Sequence, residues 1–201
     1  MGNRYEEIAF TPAVLEAQAA NGSRAAYAGF DEGPDHHDRL GEIEADFIAQ
    51  RDSFYMASVS ETGWPYLQHR GGPAGFLKVL DAKTLGFADY RGNRQYVSVG
   101  NLAGDDRVAL FLMDYPNRTR LKLMGHARLT TDPADLTRLA DPGYKARIER
   151  GWLIAVEGFA WNCPQHITPR FTEAEVIAGV RPLQQRIMEL EAEVARLRSA
   201  Q

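Results

Sequence analysis

The chain holds a single cysteine, Cys163, among 201 residues. That excludes an intrachain disulfide framework and any four-cysteine metal site. No stretch approaches the roughly 20 apolar residues of a membrane-spanning helix, and the N-terminal MGNRYEEIAF lacks an apolar signal core. A cytoplasmic protein without a membrane partner is therefore expected. G-x-G-x-x-G, a P-loop, H-E-x-x-H and the G-x-S-x-G elbow are all absent, which removes the local signatures of several nucleotide, zinc and hydrolase sites. Internal repeats and low-complexity runs are missing too. So is an excess of positive charge: 23 Lys and Arg stand against 27 Asp and Glu, a net charge of −4. This argues against a general nucleic-acid surface. It does not exclude an anionic ligand, which needs only a local basic cluster.

What is present is an ordinary globular composition, 44% hydrophobic and 25% charged, in a length that suits one domain with extensions. Residues 1–39 read as a helical extension and linker. PAVLEAQAANGSRAAYAG has helical composition, broken at Asn21-Gly22 and ended by Gly29, and FDEGPDHHD is a polar linker. Within it, His36-His37 lacks a ligand partner three or four residues away and reads as solvated loop rather than metal site. Leu40, Ile43, Phe47 and Ile48 recur at helical spacing and predict an amphipathic helix ending near Arg51.

Residues 40–171 then alternate between strand patterns and turns. SFYMASVS and the run from Pro65 to Arg70 form a hairpin around Glu61-Thr62-Gly63. Gly71-Gly72-Pro73 and Gly75 break the sheet, as at a barrel corner or a close approach of backbone to a ligand. Phe76–Leu80 and Leu85–Asp89 make the next pair, and Arg91-Gly92-Asn93 turns into a helix predicted over Arg94–Leu102. RVALFLM (107–113) is continuously apolar and reads as a buried strand. TRLKLMGHARL (119–129) alternates, with Gly125 as a bulge. Asp132-Pro133 opens a helix running toward Arg150, and Leu153–Trp161 is the last strand. Seven strands with turns every 8–12 residues predict a mainly β fold, an antiparallel closed or split barrel with flanking helices.

The remaining 172–201 differ. Thr172 and Glu175 make a capping box. Val176, Val180, Leu183, Ile187, Leu190, Val194 and Leu197 are then spaced alternately four and three apart, a coiled-coil-like seam in which Pro182 marks a new helix start. Such a seam needs cover, and a partner chain is the favoured source.

The chemistry concentrates between Trp64 and Asn101. Arg70 ends a strand, Lys78 lies inside an apolar one, and Asn93-Arg94 stands at a helix start, where free N–H groups suit a phosphate. A phosphate could sit at one end of this run and a flat ring along the sheet. Scattered surface charge is the alternative. WNCPQHITPR (161–170) crowds polar groups between two prolines, as a rigid loop lining a site or as a structural crossover around Trp161. Cys163 has no activating base beyond His166, and His69 and His126 sit in strand patterns as satisfied polar residues. No metal site is expected.

In element order and in P-Y-L-Q-H-R (65–70), L-K (77–78), the Asp81–Lys83 turn, G-N-R (92–94), N-L (101–102) with R-V-A-L-F (107–111), and L-M-G-H-A-R-L (123–129), residues 40–171 resemble the pyridoxamine 5′-phosphate oxidase-like family of FMN-binding split barrels. The resemblance implies a homodimer with FMN at the subunit interface. Arg70 and Lys78 resemble the family's strand-borne phosphate and ring contacts, and Asn93 and Arg94 its phosphate pair at the helix start. Arg120 matches a position where the family often has a Gln reaching the flavin. Trp161 and Arg170 resemble the Trp and Arg lent by a second subunit, spaced nine apart where the oxidase has ten. The oxidase also carries Arg-x-His before that last Arg. Here Ile167-Thr168-Pro169 stands instead, so the cofactor site is kept and the vitamin B6 substrate is not implied. An FMN-dependent oxidoreductase for a small molecule, exchanging electrons with NAD(P)H, follows. The other readings are a non-catalytic flavin-binding or flavin-sensing module, or a same-fold binder of deazaflavin or haem. No catalytic residue is assigned; His166 and Gln68 are candidates.

Overall fold

The computed structural model describes residues 3–27, 36–161 and 163–200. The expected turn chemistry of 30–35 and the helix stop at Gly29 lie outside them. Three short helices, α1 (Arg4–Ala9), α2 (Pro12–Ala20) and α3 (Arg24–Tyr27), precede α4 (Glu42–Ala49). The strands are β1 (Ser53–Val59), β2 (Pro65–Gly71), β3 (Lys78–Asp81), β4 (Thr84–Tyr90), β5 (Arg107–Asp114), β6 (Thr119–Thr130) and β7 (Ile148–Trp161). Helices α5 (Val97–Asn101) and α6 (Pro133–Leu139) lie between them, and α7 (Glu173–Ser199) ends the chain. Residues 1–114 with 119–164 form one compact unit, and residues 115–118 with 165–201 a second.

All pairings in the sheet are antiparallel, in the order β2-β1-β5-β6-β7-β4-β3. Alternation decides which side chains face inward. Phe54 and Met56 of β1, Val108, Leu110 and Leu112 of β5, Leu121 and Leu123 of β6, and Trp152 and Ile154 of β7 share one core with Leu85 and Phe87 of β4. Phe54 and Phe87 have three strands between them in the sheet, yet their rings meet edge-on at 5.3 Å. The sheet is therefore rolled. β2 and β3 are its unpaired edges among the described residues, which makes the barrel split.

Particular residues set the local geometry. Gly125 carries the expected irregularity: the β6–β7 register shifts there, and a Cβ would strike the Ala155 carbonyl oxygen. Helix α6 packs through Leu139, which is fully buried, on Gly86 and Gly151, where added Cβ atoms would each meet Leu139 at 2.6 Å. Helix α1 crosses β7 at Gly158, with Arg4 bonded to Glu157 at 2.9 Å. Residues His36 and His37 are tied into this corner rather than solvated, accepting through their carbonyls from Arg4 N and Phe159 N.

Several expectations need correction. Ile43 is 74% exposed, and Glu44 takes the buried place instead, because its carboxylate caps Gly41 N and accepts from the Trp161 indole. Strand β5 is not buried on both faces: Val108, Leu110 and Leu112 point inward, whereas Ala109 is exposed and Phe111 and Met113 are half-buried. Helix α6 stops at Leu139, short of Asp141-Pro142-Gly143, and β7 begins earlier, at Ile148. Helix α5 starts at Val97 rather than Arg94, since Arg94 and Tyr96 adopt positive φ (62° and 53°) that no α-helix accepts. Pro182 sits inside a continuous helix of 27 residues and starts no new one.

Candidate cofactor site

One pocket lies where β2, β4, β7 and the loop into α5 converge. Gln68 and Arg70, Asp89, Asn93 and Arg94, Ser98, and Glu149 line it. Arg70 reaches from edge strand β2 to β4, where its Nη1 donates to Asp89 Oδ1 at 2.9 Å. Its guanidinium also lies over Trp152, 5.1 Å from the ring centroid. This buried pair, 13% and 10% exposed, bridges the two sides of the rolled sheet. Asp89 takes a second arginine, Arg150, at 3.4 Å.

The loop is built around Tyr96. Its hydroxyl donates to Glu149 Oε2 at 2.9 Å and accepts from Arg94 Nε at 2.8 Å. Asn93 Oδ1 accepts from Gln95 N at 3.2 Å. Two left-handed non-glycine residues, costing of order 1–3 kcal/mol each, are held by these bonds, and such strain gathers at ligand sites. On the floor, Ser98 Oγ donates to Gln68 Oε1 at 3.1 Å.

Charge decides what the pocket can accept. Glu149 lies 3.5 to 3.7 Å from Arg91, Arg94 and Arg150. Desolvation pushes its carboxyl up, but the Tyr96 hydrogen bond and the arginines outweigh this and hold it below its ordinary range. Burial pulls Arg70 down against the raising effect of Asp89, without discharging a guanidinium. Four arginines thus contact two carboxylates, a surplus of two positive charges in the cluster, although only Arg70 and Arg94 of the four line the pocket itself. Arg70 Nε is buried with no hydrogen-bond partner among the described residues, a donor in need of an acceptor. The enclosed volume is about 60 Å³, room for a small anion and far below the roughly 300 Å³ at which pockets for whole organic ligands begin.

Of the seven residues singled out in the sequence, Arg70, Asn93 and Arg94 meet here. Lys78 does not line the pocket. It is held by Asp141 at 2.7 Å, and Asp141 in turn accepts from the Tyr90 hydroxyl on the pocket wall. Burial first, then the Asp141 carboxylate, raises the Tyr90 phenol well above its usual range. Arg120 lies on the outer face of β6, 6.0 Å from the Phe111 ring centroid. Trp161 donates to Glu44 at 2.8 Å, packs edge-on against Phe47, and lines a separate cavity of about 630 Å³ with Tyr5 and Lys122. Arg170, in the second unit, lies over Tyr115 at 4.9 Å. Sequence reasoning missed Asp89, Tyr96, Ser98, Glu149 and Arg150. Only Asp89 left a signal, a carboxylate in the apolar run LGFADY.

A family model described as pyridoxamine 5′-phosphate oxidase matches residues 41–156, more than half of the chain. The chain belongs to the pyridoxamine 5′-phosphate oxidase family. The matched span takes in Arg70, Lys78, Asn93, Arg94 and Arg120 and ends before Trp161 and Arg170. Among solved structures, HupZ of Group A Streptococcus is similar at 15% identity and a TM-score of 0.50, over 66% of this chain and 99% of its own. A Clostridium acetobutylicum protein of the pyridoxinephosphate oxidase family, related to general stress protein 26 of B. subtilis, is 16% identical, with a TM-score of 0.43 over 65% of this chain and 92% of its own. An FMN-binding protein of Syntrophomonas wolfei is 12% identical, with a TM-score of 0.41 over 58% of this chain and 81% of its own. The HupZ likeness, at that identity, bears on the fold alone. No curated protein matches the sequence. No helix among the described residues is long and apolar enough to cross a membrane.

Proposed function

We propose that this family member binds FMN and acts in the cytoplasm as an oxidoreductase on a small molecule, exchanging electrons with a nicotinamide. The observation that carries the reading is the pocket at Arg70, Asn93 and Arg94, set in an arginine–carboxylate cluster with two more positive than negative charges and with an unsatisfied Arg70 guanidinium N–H. A phosphate monoester carries about two negative charges near neutral pH, which balances that surplus. Arg70 and Arg94 would hold it by charge-assisted hydrogen bonds, with Asn93 and Ser98 as neutral partners. When bound, the flavin supplies the electron and hydride chemistry, while the protein anchors, orients and shields it.

Volume supports a second subunit. About 60 Å³ takes the phosphate and not the ring, so one chain leaves the site incomplete. The outer barrel face presents Tyr55, Ala109, Phe111, Met113 and Met124, exposed or half-buried, as an apolar surface for another copy. In the resulting homodimer Trp161 and Arg170 of the second copy would complete the ring site, Arg120 would reach the flavin, and Lys78 would do so only on release from Asp141. Ile167-Thr168-Pro169 in place of the oxidase's Arg-x-His argues for a substrate other than pyridoxamine phosphate.

The purified protein should show the visible absorption of oxidised flavin and bleach anaerobically with NAD(P)H. Arg94→Ala with Asn93→Ala should release FMN and leave the apoprotein folded, at some cost in stability from the lost loop bonds, since both side chains are exposed and the Tyr96–Glu149 bond remains. A haem Soret band, a deazaflavin spectrum, or full flavin retention by the double variant would overturn the assignment. A flavin inert to every nicotinamide and small-molecule reductant would leave a binding module rather than an enzyme.

A further inference from the structure

Helix α7 is about 40 Å long at 1.5 Å per residue, and none of its 27 residues is buried. Its aliphatic side chains are open to solvent, Leu183 at 64% and Ile187 at 54%. No energy holds such a row in water, so its chemistry should name what covers it.

The seam reads in one frame only. Spacings of three and then four place Val180, Ile187 and Val194 at heptad position a, and Val176, Leu183, Leu190 and Leu197 at position d. Every a position is β-branched, and three of the four d positions are Leu. That division favours two parallel strands: side chains at a pack alongside the facing Cα–Cβ bonds, which β-branched rotamers accept, whereas those at d point into the partner, which suits Leu. Isoleucine at both a and d, or the reverse assignment, would favour three or four strands.

Charge agrees with this orientation. In a parallel pair, each g position faces the e position five residues on in the other helix. Arg186 at g would meet Glu191 of the second copy, and Glu193 would meet Arg198 of the second copy. Twofold symmetry makes four unlike pairs and no like one. Within one chain these residues make only exposed i,i+3 contacts, Arg186 to Glu189 at 2.9 Å and Arg196 to Glu193 at 3.7 Å, which cost little to exchange. Pro182 falls at position c, away from the seam, so its missing N–H leaves the packing face intact.

We propose that α7 pairs with α7 of a second copy as a parallel, in-register, two-stranded coiled coil across Val176–Leu197. This sets the orientation and register of the two α7 helices relative to each other. It rests on the homodimer proposed above only in taking the partner to be a second copy.

The test uses full-length protein with Cys163→Ser, carrying Leu183→Cys or Leu197→Cys singly, under mild oxidation. In the parallel arrangement each cysteine faces its own counterpart, so both variants should convert mostly to covalent dimers, and Met188→Cys, at position b, should not. An antiparallel pair centred on the same seam separates the two Leu197 positions by about 32 Å and the two Leu183 positions by about 10 Å along the axis. Neither single variant would then crosslink, and the proposal would fall. Sedimentation of the parent at three or more chains per particle, or as a 22.4 kDa monomer, would overturn it equally. Flavin absorbance, read on the same samples, reports on the cofactor site separately. Crosslinks in a colourless protein sink the flavin reading and keep the coiled coil, and a yellow protein without crosslinks does the reverse.

Discussion

Arg70 is where fold and site compete for one side chain, so its removal should be costly even without a ligand. Arg70→Met keeps much of the stem and removes the guanidinium. The lost pair is short, at 2.9 Å, and about nine-tenths shielded from solvent. Deleting one partner of such a pair costs about 3–5 kcal/mol when the remaining charge is stranded. Asp89 is only partly stranded here, because Arg150 stays at 3.4 Å, which places the expectation at the low end. The cation–π contact with Trp152 adds about 1 kcal/mol. A loss of about 3–4 kcal/mol is therefore expected for the apoprotein, read by urea unfolding with circular dichroism and tryptophan fluorescence. Asp89→Asn alone should cost about 2 kcal/mol, and the double variant should recover about 2 kcal/mol relative to the sum, the signature of a direct contact. Strictly additive single losses, or a loss below about 1 kcal/mol for Arg70→Met, would refute the bridge across the rolled sheet.

Other expectations follow from single contacts. Gly125→Ala should cost about 3 kcal/mol or fail to fold, because its Cβ would strike the Ala155 carbonyl oxygen; thermal unfolding checks this. Leu139→Ala should cost about 2–4 kcal/mol by emptying the space over Gly86 and Gly151, with far-ultraviolet dichroism unchanged before melting. The folded Glu149 carboxyl titrates below its ordinary value near 4.5, so its contribution is present above that pH and fades as pH falls through the lower folded value. The stability gap between the parent and Glu149→Gln should accordingly be widest above pH 4.5 and close in more acidic buffer. A gap that widened on acidification would contradict the arginine cluster around Glu149.

The sequence by itself determined everything that depends on local period and turn chemistry. Alternation at SFYMASV and TRLKLMGHARL, glycines at 71, 72, 75 and 125, the Asp132-Pro133 start and the Thr172–Glu175 box all lie where the structure has strands, breaks, a bulge and helix caps. Order and spacing of these signals carried the family. What only tertiary structure decided is pairing between elements distant in the chain. Glu44 lies nearer the Phe47–Ile48 face of the helical wheel than Ile43, but a carboxylate there reads as solvent-facing, and only the Trp161 indole, 117 residues away, explains its burial. RVALFLM reads as buried throughout because nothing local says that its outer face lacks a covering layer. Arg94 looks like a helix residue until Tyr96 and Glu149 draw the loop into left-handed turns. Arg70, Asn93 and Arg94 were legible as cations and polar groups near a turn. Their surplus charge was not, because it depends on Asp89, Glu149 and Arg150, which the rolling of the sheet brings from β4 and β7 to the end of β2.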